Sequence, residues 1–246
     1  MLKKPHPQRL PHFLVLGAQK GGTTSLQKLL EQHPKVYLPP CKEVQYFSLN
    51  SEKPLSWYSD HYKEAKQGQI RGEITPYYLF HPDVPKRIKK AIPRVGMIAL
   101  LRDPVERTLS QIFHARRHGF EHLDIEKALD AEELRISSGS LYSLQKHSYL
   151  ARSRYLEQLD RYESLFPTKQ LLVIKSEDLF NNREKAWEKI QKFLKIPLIG
   201  HPMELPLENA GEGEAKKVDQ ETRRYLKEKL EETYQGVKER YGIEWD

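Results

Sequence analysis

Cysteine is nearly missing from this chain: Cys41 is the one thiol among 246 residues. An internal disulfide is thereby excluded, and so is the cross-linked framework on which small secreted domains depend. Long hydrophobic runs are missing too. No apolar stretch approaches the ~20 residues that cross a bilayer. The opening "MLKKPHPQRLPH" is basic, with no apolar segment behind it of the kind a signal peptide carries. Internal repeats and low-complexity linkers are also lacking. These absences lead to the expectation of one soluble, cytoplasmic domain over 1–246, with 1–11 as a flexible tail. Charge, by contrast, is plentiful. Lys and Arg number 41 against 34 acidic residues, a formal +7. Such a balance reads either as solvated helix faces or as attraction to an anion: a nucleotide, a polysaccharide or a nucleic acid.

Hydrophobic periodicity divides the chain into strands alternating with helices. "HFLVLG" (12–17), "QIRGEIT" (69–75), "VGMIALLRD" (95–103) and "QLLVIKSED" (170–178) read as buried strands, and "KVYLPP" and "EVQYFS" as short extended pieces. Amphipathic helical patterns follow at "TTSLQKLLEQHP", "KPLSWYSDHYKEA", "PDVPKRIKKAIP", "PVERTLSQIFHARRHG", 124–135, 148–166 and "REKAWEKIQKFLK". One charged helix, "DQETRRYLKEKLEETYQGVKERYG", closes the chain. The fold class expected is α/β: a single domain with a mostly parallel sheet flanked by helices.

The stretch "FLVLGAQKGGTTSL" (13–26) carries the chemistry. A phosphate-cradling loop has the form G-x-x-x-x-G-K-[ST]. Gly17 and Gly22 have that spacing, but Thr23 stands where the lysine belongs, and the lysine appears earlier, as Lys20. A strand, a glycine turn and a helix N-terminus still make an anion site. Gly21 and Gly22 admit a phosphate to the backbone, Thr23, Thr24 and Ser25 add hydroxyl donors, and Lys20 adds a charge. The displaced lysine counts against ATP chemistry, in which lysine and Mg²⁺ together offset the γ-phosphoryl charge. A sulfuryl group carries less charge and can be moved without a metal.

"LGAQKGGTTSL" resembles the 5′-phosphosulfate loop of the sulfotransferases that use 3′-phosphoadenosine 5′-phosphosulfate (PAPS). "LLRDPVERTLSQ" is similar to their 3′-phosphate loop, "KEVQYFS" to their K-E-[VI]-x-[FY]-F segment, "GEITPYYLFHP" to their G-E-x-[ST]-P-x-Y stretch, and "LLVIKSEDL" to a later strand. The matches run in family order over about 12–195, and the branch resembled is the bacterial and heparan-sulfate-type group. The resemblance implies a PAPS-dependent sulfotransferase moving a sulfuryl group in line to an acceptor hydroxyl or amine of a carbohydrate, lipid or small metabolite. Lys20, Gly21, Gly22, Thr23, Thr24 and Ser25 would hold the phosphosulfate, Arg102 and Ser110 the 3′-phosphate, and Glu43 would be the base. Lys20 would also offset charge on the leaving oxygen. No metal is implied.

Departures from the family are visible as well. Gln45 stands where a histidine is frequent, and Ile74 where some relatives have lysine. Glu73 reads equally as a site carboxylate or an ion-pair member, and Tyr77, Tyr78 and Phe80 as core or acceptor cleft. The segment 199–218, with Gly211, Gly213, Lys216 and Lys217, is expected to be a mobile cofactor-side loop. His114 and His118 lie four apart on one helix among arginines, on a basic face, and read as surface or cofactor-side residues, not a metal site. Two rivals stay open. A Mg²⁺-dependent nucleotide kinase would use Thr24 and Asp103 on the metal; a non-catalytic module would bind anionic polymers. The interleaved glutamates of the last helix argue against nucleic acid.

Overall fold

In the computed structural model, residues 9–200 and 213–245 are described. Five strands form one sheet: β1 (Phe13–Gly17), β2 (Val36–Tyr37), β3 (Ile70–Ile74), β4 (Gly96–Leu101) and β5 (Leu171–Lys175), in the order β2-β3-β1-β4-β5. Every pairing is parallel. The helices are α1 (Thr23–Glu31), α2 (Leu55–Asp60), α3 (Val84–Ala91), α4 (Pro104–Arg117), α5 (Ile125–Asp130) and α6 (Glu132–Ser137). They continue with α7 (Leu141–Lys146), α8 (Tyr155–Glu163), α9 (Asp178–Asn181), α10 (Arg183–Leu194), α11 (Gln220–Lys229) and α12 (Glu231–Tyr241).

The strands are buried on both sides, and their alternation deals side chains to two cores. Leu14, Leu16, Met97, Ala99 and Leu101 pack with Tyr58, Ile88, Leu159 and Val237 of α2, α3, α8 and α12. Phe13, Val15, Ile98 and Leu100 pack on the opposite face with Leu26 and Leu29 of α1 and Trp187 and Ile190 of α10. A third cluster gathers Leu109 and Ile112 of α4 with Leu226 and Leu230.

Four expectations need correction. "EVQYFS" is not extended: Glu43 and Gln45 take left-handed backbone, φ 62° and 59°, in a chain of turns. The pattern at 148–166 becomes helical only from Tyr155, and 124–135 is two short helices meeting at Ala131. The closing helix is broken at Leu230, whose ψ is 8°. That break lets α11 bury Leu226 beside α4 while α12 buries Val237 beneath the sheet. One straight helix could not reach both cores.

Most of the expected tail (1–11) and of the 199–218 loop, including Gly211, lies outside the described residues. Within them, Arg9 donates to the carbonyls of Lys63 and Ala65 at 2.8 and 2.9 Å. Glu214 pairs with Arg117 at 2.5 Å. Lys216 and Lys217 sit in the short turn Glu214–Lys217.

Candidate active site

The sheet order places β1 at the centre, and the chain crosses over it between β3 and β4. In open parallel sheets this switch point, at the carboxyl ends of the strands, is where ligands bind. The loop 18–22 emerges there from β1, and Arg102 follows the last residue of β4.

The loop is tightly built. The Ala18 N–H donates to the Leu100 carbonyl at 2.8 Å, and the Gly21 N–H to that of Ala18 at 2.9 Å. A Cβ on Gly21 would lie 2.9 Å from both carbonyl oxygens, so only glycine fits between two backbones. Gly22 starts α1 from left-handed backbone, φ 81°, and offers no side-chain cap. The first turn of α1 also lacks an acidic residue. Its free N–H groups therefore remain available to an external anion.

Cations gather around this helix end. Lys42 donates to Thr24 Oγ1 at 2.6 Å, and Arg102 to the Lys20 carbonyl at 3.3 Å. Burial, followed by the charges of Arg117, Arg102 and Lys42, brings Lys20 down to about 8. A cavity of 270 Å³ opens over the loop, lined by Lys20, Gly22, Thr23, Thr24, Lys42 and Glu43, with Gln19, Pro76 and His114. Gly21, Ser25, Arg102 and Ser110 are not among its lining residues, and Ser25 is 1% exposed on the inner side of α1. Ser110, on α4, is 7% exposed. Arg102 reaches Glu106 at 3.8 Å, and Glu106 in turn holds Arg223 at 2.5 Å.

Glu43 stands between this cavity and a second one of 130 Å³, lined by Gln45, Tyr77, Gln111, Gln145, Lys146 and Arg152 among others. Gln19, Pro76 and His114 are also common to both. Burial pushes the Glu43 carboxyl up; Lys42, a 3.0 Å hydrogen bond from Gln45, Arg152 and Lys146 oppose it. A left-handed non-glycine residue costs about 1–2 kcal/mol, so the segment must be held from outside. Glu73 supplies part of that support. It is 1% exposed and accepts from Thr75 at 2.6 Å, from Tyr78 at 2.7 Å and from Tyr58. Tyr78 Oη accepts the Phe47 N–H at 3.1 Å, tying the Glu43 segment to β3. Glu73 is thus an internal anchor with no cation partner among the described residues, and Tyr78 is core. Tyr77 and Phe80 instead face Arg152, with guanidinium-to-ring distances of 4.8 and 4.9 Å.

Asp103 does not face the loop as a metal ligand would. It caps α4 through the Glu106 N–H at 2.8 Å and accepts from Tyr234 at 2.8 Å. Among the described residues no three His, Cys, Asp or Glu side chains cluster as a metal site. Sequence reading missed Arg152, Lys42, Lys146 and Gln19, and gave His114 a surface or cofactor-side role. His114 lines both cavities, and burial, with Lys20 beside it, brings it down to about 4. Lys42 and Gln19 had a signal, their places beside Glu43 and Lys20; Arg152, Lys146 and His114 come from segments remote in sequence from the loop.

The sulfotransferase domain family model matches residues 10–240. The human bifunctional heparan sulfate N-deacetylase/N-sulfotransferase 2 is 33% identical over 202 residues, covering 76% of this chain and 22% of its own. The membrane-associated sulfotransferase kil1 of Dictyostelium discoideum is 26% identical, with 78% and 57% covered. The chain thus spans between about a fifth and three fifths of the length of these relatives. A sulfotransferase from Alicyclobacillus acidocaldarius superimposes with a TM-score of 0.82 at 25% identity, covering 96% of this chain and 97% of that one. Mouse SULT7A1 complexed with PAP shares the fold, with a TM-score of 0.53 at 20% identity over 78% and 60%. A parallel sheet with its glycine loop at the switch point, and a family match over nearly the whole length, make this chain a member of the sulfotransferase domain family.

Proposed function

We propose that the chain transfers a sulfuryl group from PAPS to an acceptor hydroxyl or amine. The observation that carries the reading is the uncapped N-terminus of α1, with Lys20, Lys42 and Arg102 about it and Glu43 lining the same cavity as Lys20 and Lys42. These residues fit a phosphosulfate: two backbones leave room only for a glycine, and the charges that weigh most on Lys20 are those of other cations. PAPS supplies an activated sulfuryl group, its S–O bond to the 5′-phosphate being the bond that breaks. Lys20, the loop amides, Thr23 and Thr24 hold the 5′ end; Ser25 supports the turn; Arg102 and Ser110 receive the 3′-phosphate. Glu43 accepts the proton from the acceptor as the new S–O or S–N bond forms, and burial makes it a stronger base than an exposed carboxylate. Lys20 offsets the charge left on the departing phosphate oxygen.

The PAP-bound mouse neighbour supports the donor class. Asp103, occupied as a helix cap, weighs against the kinase alternative. A cytoplasmic setting and no dealings with nucleic acid belong to the same proposal, supported by the single cysteine and the mixed charges of α11 and α12. Among the described residues no helix is long and apolar enough to cross a membrane. Calorimetric titration with 3′,5′-adenosine bisphosphate and with ATP, each with and without Mg²⁺, tests the reading. Tight, metal-independent binding of the bisphosphate is expected. A preference for ATP with Mg²⁺ would overturn it, and an unchanged turnover in Glu43→Gln would remove Glu43 as the base.

A further inference from the structure

Arg152 is 3% exposed, yet no carboxylate lies within 4.0 Å of it among the described residues. It donates to Gln19 Oε1 and to the carbonyls of Leu144 (3.3 Å) and Gln145 (2.8 Å), while its buried Nε has no partner. A desolvated guanidinium with no carboxylate in contact is costly unless a ligand completes it. It lines the 130 Å³ cavity beside Glu43, and Lys146 lines the same cavity. Two cations therefore face one carboxylate.

The amides of this cavity are biased in the same direction. Arginine can only donate, so Gln19 must turn Oε1 to Arg152, and Gln111 must turn Oε1 to Arg107 at 2.5 Å. The Nε2 groups of both glutamines are left as donors. A cavity rich in donors and short of negative charge is complementary to an anion. Its volume is close to the ~150 Å³ that takes a benzene ring, which is room for about one ring or a short chain. Lys146 Nζ stands 4.0 Å over the Phe120 ring and walls the side. Room of that size favours an end group at buried Arg152 over an internal unit of a polymer.

Resting on the assignment of Glu43 as acceptor base, we propose that the acceptor is a small hydroxy or amino carboxylate. Its carboxylate is received by Arg152 and Lys146, with the Gln19 and Gln111 amides, while its hydroxyl or amine faces Glu43. The charged end sets the distance between the reacting oxygen or nitrogen and the loop, so the same contact gives both affinity and position.

The test uses matched pairs on the full chain saturated with 3′,5′-adenosine bisphosphate: 4-hydroxybenzoate against its methyl ester, and galacturonate against galactose. Each acid is expected to bind at least about tenfold tighter than its neutral twin, as a charge-assisted contact should. In Arg152→Gln the ratio falls towards one while bisphosphate affinity is kept; Lys146→Gln lowers it less. If Arg152→Gln does not fold, the wild-type ratios and Lys146→Gln decide. A ratio near one in the wild type, an unchanged ratio in a folded Arg152→Gln or in Lys146→Gln, or no binding of any acid at millimolar concentration overturns the proposal. So does an unsulfated polyuronate chain that binds tenfold tighter than the small acids. Failure of the bisphosphate to bind would instead sink the donor assignment, and acid titration of the free protein would still report on Arg152.

Discussion

In the proposed mechanism, Lys20 is the residue whose state sets the working range of the site. Burial and four neighbouring cations hold it to about 8. It is charged below that value and loses its proton as pH rises through it. The profile of kcat/KM for PAPS, which reports the free enzyme, should therefore fall on the alkaline side near pH 8. Glu43 acts in the opposite sense: it must be ionised, and burial moves its titration upward, so the acid limb should lie above that of an ordinary carboxylate. Lys20→Arg, which does not titrate in this range, should move the alkaline limb upward even at reduced activity; a limb that stays near 8 would assign it to another group. Arg102 gives a second prediction at this scale. Arg102→Ala should cost about 1.5–3 kcal/mol of bisphosphate affinity, roughly 10- to 100-fold in Kd. The affinity for adenosine 5′-phosphate, which has no 3′-phosphate, should hardly change. Equal losses for both ligands would place Arg102 elsewhere.

Among the elements, the β1–α1 turn is the least tolerant. Gly21→Ala would press a methyl against the Ala18 and Leu100 carbonyl oxygens, neither of which can swing away as a side chain would. Expected are a loss of about 1–3 kcal/mol of stability and of nucleotide binding measured by calorimetry. A variant with wild-type affinity would show that the loop relaxes. The start of α4 is a different case, held by Asp103 through a helix cap and a tyrosine hydroxyl. Asp103→Ala should lower stability by about 1–2 kcal/mol in thermal unfolding, and turnover should respond to EDTA in neither variant nor wild type. A new or lost Mg²⁺ requirement would restore the metal-ligand reading. The segment 41–48 shows what periodicity cannot convey: its two left-handed residues are held by a buried Glu73 network thirty residues away.

At the scale of the whole molecule, the end of the chain is part of the core. Val237 is fully buried against the sheet, and Trp245 donates to Glu177 at 3.0 Å, whose other oxygen accepts the Asp103 N–H at 3.0 Å. Removing residues 231–246 should abolish cooperative unfolding seen by circular dichroism, whereas Tyr225→Ser, at an exposed position, should leave it unchanged. A truncated chain that melts cooperatively near the wild-type temperature would make α12 an appendage.

The sequence by itself determined the strand–helix alternation, the glycine turn with Lys20, and the arginine at the end of β4. These signals are local: apolar periodicity, a turn that needs glycine, a charge at a strand end. It also carried Glu43 through a short motif, though not the backbone that presents it. What only the tertiary structure decided are the groups whose meaning depends on distant neighbours. Glu73 became an anchor because Tyr58 and Tyr78 surround it. Asp103 became a cap because α12 covers it with Tyr234. Arg152 came to line the cavity beside Glu43 because the chain after α7 folds back onto the carboxyl ends of the strands. Burial and charge pairing are set by packing, and packing joins residues that no spacing along the chain connects.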